Sequence, residues 1–261
     1  MHVVVTGGSS GIGLEVAKIY AARGLSVSLI ARSLERLETA AETIRQVCDG
    51  RGQVYVSACD VADGVELLAA IKACEAVQGP CDILVASAGI VEPCFFHEQS
   101  PEQFQAQWQT NVTGVVNAVR AVYGGMRHRG EGRIMIVSSA AAFIGIPAYA
   151  AYCSSKSALV GFADALRLEA MATGVSVGIC FPPDTDTPQL ANEILSRPRE
   201  AALLMGTIKP RRPEDIAAKL VAAVEQRRAR VYFTASVAAL ALFGPLARPI
   251  ISLWYRLRIS H

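Results

Sequence analysis

Charge is scarce in this chain: 18% of its 261 residues are charged, and the formal net charge is only +2. A nucleic-acid binder presents a basic stripe to the phosphates, so this balance gives no reason to expect nucleic acid as a partner. Histidine is rarer still. His2, His97, His128 and His261 stand far apart in sequence and suggest no metal site. The seven cysteines, at 48, 59, 74, 81, 94, 153 and 180, are odd in number and include no CxxC pair. That scatter argues for reduced thiols and against a disulfide framework. No internal repeat at solenoid periods is evident. No signal peptide is expected, because "HVVVTGG" already reads as a strand entering a turn.

The C-terminal tail, residues 234–261, falls short of a membrane span. Seventeen uncharged residues lie between Arg230 and Arg248, and Gly244-Pro245 interrupts them. A spanning helix needs about 20 apolar residues. Two readings of the tail stay open. One is a membrane-surface or re-entrant hairpin anchored by Trp254, Tyr255, Arg256 and Arg258. The other is a last strand plus a helix that packs on the domain or on another subunit. The protein is expected to be cytoplasmic, and on the first reading peripheral on the cytosolic face of a membrane.

What is present is core material. Hydrophobic residues make up 52% of the chain, enough for one large α/β domain, placed at residues 1–233. Short β-branched runs alternate with longer amphipathic stretches. "HVVVT" (2–6), "SVSLIA" (26–31), "QVYVSACDV" (53–61), "CDILVASAG" (81–89), "GRIMIVSSAA" (132–141) and "VSVGICFPP" (175–183) read as strands. Helical patterns separate them, which implies a mostly parallel sheet covered on both faces, a Rossmann-type doubly wound α/β fold. Residues 185–213 break the rhythm: polar and Pro-interrupted, they read as an insertion or lid over a site. A helix and a strand resume over 213–233.

At the first strand-to-helix passage stands "TGGSSGIG" (6–13). Gly7, Gly11 and Gly13 remove side chains where the backbone must turn and let a phosphate approach. The helix N-terminus behind them, with Ser9, Ser10 and Ile12, supplies free N–H groups and a positive dipole end. At the end of the second strand, a carboxylate would hold a ribose diol. "IARSLERL" has Arg32 and Ser33 there, with Arg36 one turn on, so the cofactor reads as NADPH/NADP+. Asp60 and Val61 are placed at the adenine edge, and Ala88 and Gly89 where the backbone passes the adenosine ribose.

The stretch "AYAAYCSSKSALVGF" raises a separate question, since a core helix gains nothing from a buried lysine. Tyr152 and Lys156 are four apart and share one helix face. An ammonium beside a phenol favours the phenolate, which would lower the tyrosine's pKa and make it a proton donor or acceptor near neutral pH. Ser139, just past a strand, can hold a carbonyl oxygen. Asn111, inside the preceding helix, can fix a water and pass protons toward the lysine. Together these describe carbonyl reduction, with hydride from a nicotinamide and a proton from Tyr152.

TGGSSGIG, the "SAG" of 87–89, Asn111, "VSS" ending at Ser139 and "YCSSK" resemble the short-chain dehydrogenase/reductase family over roughly residues 2–235. The resemblance implies a tetrad of Asn111, Ser139, Tyr152 and Lys156, with Ser138 the neighbour of Ser139 should the loop shift. It also implies a homodimer or homotetramer, with Pro182 and Thr187 at the nicotinamide carboxamide. "ASAG" departs from the family's usual Asn-Asn-Ala-Gly and is expected to lose side-chain hydrogen bonds there. Tyr149 is a decoy, since Cys153 stands where its lysine would be. More narrowly, "FPPDTDTPQL" (181–190) looks like the 3-ketodihydrosphingosine reductase branch. That implies a lipid ketone substrate, a long-chain 2-amino-3-ketone. By charge and location alone Asp184 or Asp186 could pair with its ammonium, with loop capping and turn formation the other reading of both. Steroid, retinoid and fatty acyl ketones are the alternatives, and a non-catalytic NADPH-sensing scaffold is a rival from another class.

Overall fold

The structure, a computed structural model, describes residues 1–48, 52–206 and 209–259. Seven parallel strands form one sheet in the order β3-β2-β1-β4-β5-β6-β7. They are β1 (His2–Thr6), β2 (Ser26–Ala31), β3 (Val54–Ala58), β4 (Cys81–Ala86), β5 (Gly132–Val137), β6 (Val175–Phe181) and β7 (Arg230–Tyr232). The intervening helices are α1 (Gly11–Ala22), α2 (Leu34–Val47), α3 (Gly64–Gln78), α4 (Pro101–Trp108), α5 (Gly114–Arg129) and α6 (Ala150–Ala170). The chain ends with α7 (Pro188–Ser196), α8 (Arg199–Met205), α9 (Pro213–Glu225) and α10 (Ala235–Ile259). A doubly wound α/β fold is what the alternation of strands and helices implies.

Period-two alternation decides which layer each strand residue serves. Val3 and Val5 of β1 join α1, α2 and α9 on one face, with Val16, Leu37 and Leu220. Val4 points the other way, into the layer built by α3, α5 and α6, with Leu67, Val115 and Leu159. Because β1 is buried on both faces, every one of its residues is apolar or bonded. Even His2 is: its Nδ1 meets Gly79 O at 2.7 Å and its Nε2 meets Ser28 Oγ at 2.8 Å. Each such aliphatic side chain contributes about 1.5–3 kcal/mol by leaving water.

Local chemistry sets the helix starts. Asp63 caps α3 by accepting from the Val65 and Glu66 amides, both at 2.9 Å. Ser100 and Gln103 form a capping box at α4, with Pro101 in the first turn. The connections from β1 and β4 leave the sheet in opposite directions, so a crevice opens beyond the carboxyl ends of these two strands. The segment read as an irregular polar lid instead contains α7 and α8, because Thr187 caps α7 and Pro188 occupies its first position. Among the described residues the tail holds a helix and no further strand after β7. Among the described residues no single helix is long and apolar enough to cross a membrane. The bent pair Ala235–Gly244 and Pro249–Arg258 satisfies the length and composition of a span only together.

Candidate active site

One cavity of about 790 Å³ opens at the crevice. All the residues expected at the dinucleotide border it, from Gly7 to Thr187, and so do Ser139, Tyr152 and Lys156. Residues more than 170 positions apart in sequence thus share one space. Asn111 stands behind the cavity wall, fully buried.

At one end the glycine loop is pressed against the neighbouring strand. Gly7 has a left-handed φ of +70°, and a Cβ there would lie 2.8 Å from Ala88 Cα. A Cβ on Gly13 would lie 2.5 Å from Gly7 O and 2.6 Å from Ser87 Oγ. Only glycine lets loop, strand and helix meet this closely. Ser10 makes no side-chain bond to the start of α1, so the first amides of that helix have no side-chain cap. Ser87 donates to Thr6 O at 2.6 Å, tying β4 to β1. The "ASAG" departure therefore keeps a side-chain bond, contrary to expectation, because a serine hydroxyl is enough to span these adjacent strands.

Past β2, Ser33 caps α2 by accepting from the Arg36 amide at 3.3 Å. Arg32 and Arg36 are exposed at the cavity's edge, and among the described residues neither guanidinium has an ion-pair partner. Asp60 turns back on its own loop, its Oδ1 accepting from the Ala62 amide at 2.9 Å. Uncapped amides, a glycine-rich loop and two guanidiniums without an ion-pair partner among the described residues fit a dinucleotide bearing an extra phosphate.

The other end gathers the candidate reacting groups. Lys156 is 4% exposed, its Nζ donates to Val137 O at 3.2 Å, and it lies 5.6 Å from the centroid of the Tyr152 ring. Ser139 borders the cavity beside Tyr152, its Oγ accepting from the Ala141 amide at 3.2 Å, while Ser138 turns inward and donates to Lys156 O at 3.0 Å. The choice between the two serines is thus made by the loop after β5. Asn111 sits in a π-helical turn, Gln109–Thr113, that joins α4 to α5. The widened turn aims its amide at Ile90, accepting from N at 2.8 Å and donating to O at 2.9 Å, and also at Ser155.

One expectation is corrected by burial. The phenol of Tyr152 is raised, chiefly because its charged form would be desolvated, with the Ser139 hydrogen bond opposing this. Burial also pulls Lys156 down to about 8. Loss of water outweighs the one opposing cause, the Ser139 hydroxyl, so near neutral pH Tyr152 holds its proton and is poised to donate one.

The family-model comparison matches residues 1–197 to "short chain dehydrogenase". The chain belongs to that family. A 3-dehydrosphinganine reductase of Danio rerio is 38% identical over 218 residues, covering 83% of this chain and 66% of its own. The chain thus spans about two thirds of the length of this and similar curated relatives. Among solved structures, levodione reductase superposes with a TM-score of 0.83 at 25% identity, covering 91% of this chain and 98% of its own. L-sorbose reductase from Gluconobacter frateurii, complexed with NADPH and L-sorbose, superposes at 0.78 with 27% identity, covering 89% and 94%. A nicotinamide cofactor accords with both family and fold.

Beyond the family's shared core, the cavity has features that sequence reading missed. Tyr149 donates to Glu193 Oε1 at 2.7 Å, and Arg197 Nη2 bonds both Glu193 at 2.6 Å and Asp184 at 3.0 Å. The Glu193–Arg197 spacing of four on one helix face was a visible signal. Of the two aspartates considered for an ammonium, Asp184 borders the cavity but is paired with Arg197. Asp186 is exposed and points away from the cavity, toward Arg212 and Pro213. Val237 and Leu240, from the first turns of α10, also line the cavity, so the tail begins as part of its wall. Ala148, just before α6, is held at a φ of +65°, which costs about 1–2 kcal/mol and sets the entry of Tyr149 and Tyr152.

Proposed function

We propose that this short-chain dehydrogenase reduces a long-chain 2-amino-3-ketone, 3-ketodihydrosphingosine, to its secondary alcohol with NADPH. The observation that carries the reaction type is the Tyr152 phenol sharing one cavity with Ser139 and lying beside the buried ammonium of Lys156. The substrate rests on the similarity to the 3-dehydrosphinganine reductase. An apolar cavity end lined by Ile144, Leu204, Met205, Val237 and Leu240 suits an alkyl chain.

The amides at the start of α1, with Ser9 to Gly13, would hold the pyrophosphate, and Arg32, Ser33 and Arg36 the 2′-phosphate. Asp60 and Val61 would meet the adenine, Ala88 and Gly89 the ribose, and Pro182 and Thr187 the carboxamide. When bound, the dinucleotide supplies the hydride. Ser139 and Tyr152 direct their hydroxyls at the substrate carbonyl oxygen, and Tyr152 gives up its proton as negative charge develops there. Lys156 then stabilises the phenolate left behind, since opposite charges in a desolvated site attract strongly. Asn111 holds the backbone at Ile90 and the Ser155 hydroxyl, keeping the second turn of α6 in place.

The test is NADPH oxidation by purified protein with 3-ketodihydrosphingosine, beside NADH and a panel of steroid, retinoid and acyl ketones. Turnover of the amino ketone with NADPH, lost about 10²–10⁴-fold in Tyr152→Phe, is the expected result. Preference for another ketone removes the substrate assignment. No turnover of any ketone removes the enzymatic reading in favour of an NADPH-binding scaffold.

A further inference from the structure

The proposed substrate carries a cationic amine next to its ketone, and the structure points to what would receive it. We propose that Glu193, positioned by Tyr149 and Arg197, is the specificity residue that binds a protonated amine adjacent to the reacting carbonyl. This rests on the proposed function for its placement along the reaction, but its own test does not require turnover.

The argument starts from charge. Asp184 and Glu193 share a single guanidinium, Arg197, whose side chain is 11% exposed. Two carboxylates against one cation leave one net negative charge beside a cavity largely walled by apolar groups. The Glu193 side chain is only 10% exposed, and an uncompensated carboxylate at such depth is costly. Lys209 and Arg211 border the same cavity, but both are exposed and neither forms an ion pair with Glu193 or Asp184 among the described residues. Lys156 is committed to Val137 O.

Geometry adds a second, independent observation. Both bonds to Glu193 end on Oε1, and among the described residues none is made to Oε2. A nine-tenths buried side chain that lines the cavity thus retains an acceptor oxygen without a protein donor. Its position is also right along the reaction axis. The Tyr149 ring packs edge-on against the Tyr152 ring, with centroids 6.4 Å apart, and Tyr149 holds Glu193. The carboxylate therefore lies one side chain beyond the proton donor. The negative charges of Glu193 and Asp184 both help to raise the Tyr152 phenol, which a bound ammonium would offset. An amine at this site would orient the substrate and ease proton transfer together.

The test measures binding of a long-chain 2-amino alcohol and of its neutral N-acetyl form, at pH 7 with the NADP+-saturated protein, to wild type and Glu193→Gln. Glutamine keeps an oxygen to accept from Tyr149 and removes the charge. Wild type is expected to prefer the amine by roughly 10- to 100-fold, and the variant to lose that preference. Equal affinity of wild type for the two ligands overturns the proposal without reference to any variant. So does a preference that survives in a folded Glu193→Gln. Turnover of the 2-amino ketone, followed in parallel, reports separately on the proposed function: an amine preference without ketone reduction would keep the site and remove the reaction.

Discussion

Replacing Lys156 by methionine is expected to stabilise the protein at pH 7 while abolishing its activity. The magnitude follows from burial. A lysine titrates near 10.4 in an unfolded chain, and Lys156 is brought down to about 8 in the fold, chiefly by desolvation. That difference means the folded state holds the ammonium less favourably than the unfolded state by about 3 kcal/mol. Below pH 8 both states are protonated and the full penalty applies. Between pH 8 and about 10.4 the unfolded chain binds more protons than the fold, so the penalty is progressively relieved as pH rises. Methionine has a similar shape and no charge, but it forfeits the bond to Val137 O, worth about 1 kcal/mol. The net expectation is a gain of roughly 1–2 kcal/mol at pH 7 that shrinks toward pH 10. Denaturant unfolding of both proteins at pH 7 and pH 10, with ketone reduction measured alongside, checks it. The buried thiols Cys59 and Cys180, each raised to about 12, destabilise both proteins at alkaline pH and largely cancel in the difference. A variant less stable than wild type at pH 7, or a difference that ignores pH, would refute the reasoning.

Other consequences can be measured as directly. Arg32→Asp should lower the NADPH-to-NADH ratio of kcat/KM by about 100-fold, through loss of a phosphate partner and gain of a diol acceptor; an unchanged ratio would take Arg32 out of cofactor choice. Gly13→Ala puts a Cβ 2.5 Å from Gly7 O and 2.6 Å from Ser87 Oγ. Thermal unfolding should show a loss of about 2–4 kcal/mol, a fall in Tm of roughly 5–15 °C, and no change would contradict the close packing there. Leu240→Asp should raise KM for a long-chain ketone about tenfold and leave a short-chain ketone little affected, since α10 walls only the apolar end. Equal effects on both would place Leu240 outside the chain-binding region.

Much of this molecule was legible from residue order alone. A parallel sheet buries its strands on both faces, so "HVVVT", "DILVA" and "RIMIV" could be read as strands from continuous apolar character. The glycine loop and the Tyr152–Lys156 pair are local features, each complete within a turn or two of chain, and their neighbours in sequence are their neighbours in space. Properties that depend on distant segments were not legible. Whether Ser138 or Ser139 faces Tyr152 depends on how the loop after β5 meets α6. The direction in which Tyr152 titrates depends on how much water the assembled walls exclude, and here desolvation is the largest cause, helped by the carboxylates of Glu193 and Asp184. Polar residues over 188–205 looked like loop because their helices owe their form to a cap at Thr187 and to contacts that the pattern does not carry. The Tyr149–Glu193–Arg197–Asp184 network joins α6, α7 and the loop after β6, so no spacing could announce the whole of it. Periodicity and local motifs thus determined the fold class and the candidate reacting groups, because they act over one or two turns. The protonation state, the carboxylate facing the cavity and the helix closing its apolar end were decided by tertiary structure, because burial and charge pairing belong to the assembled fold.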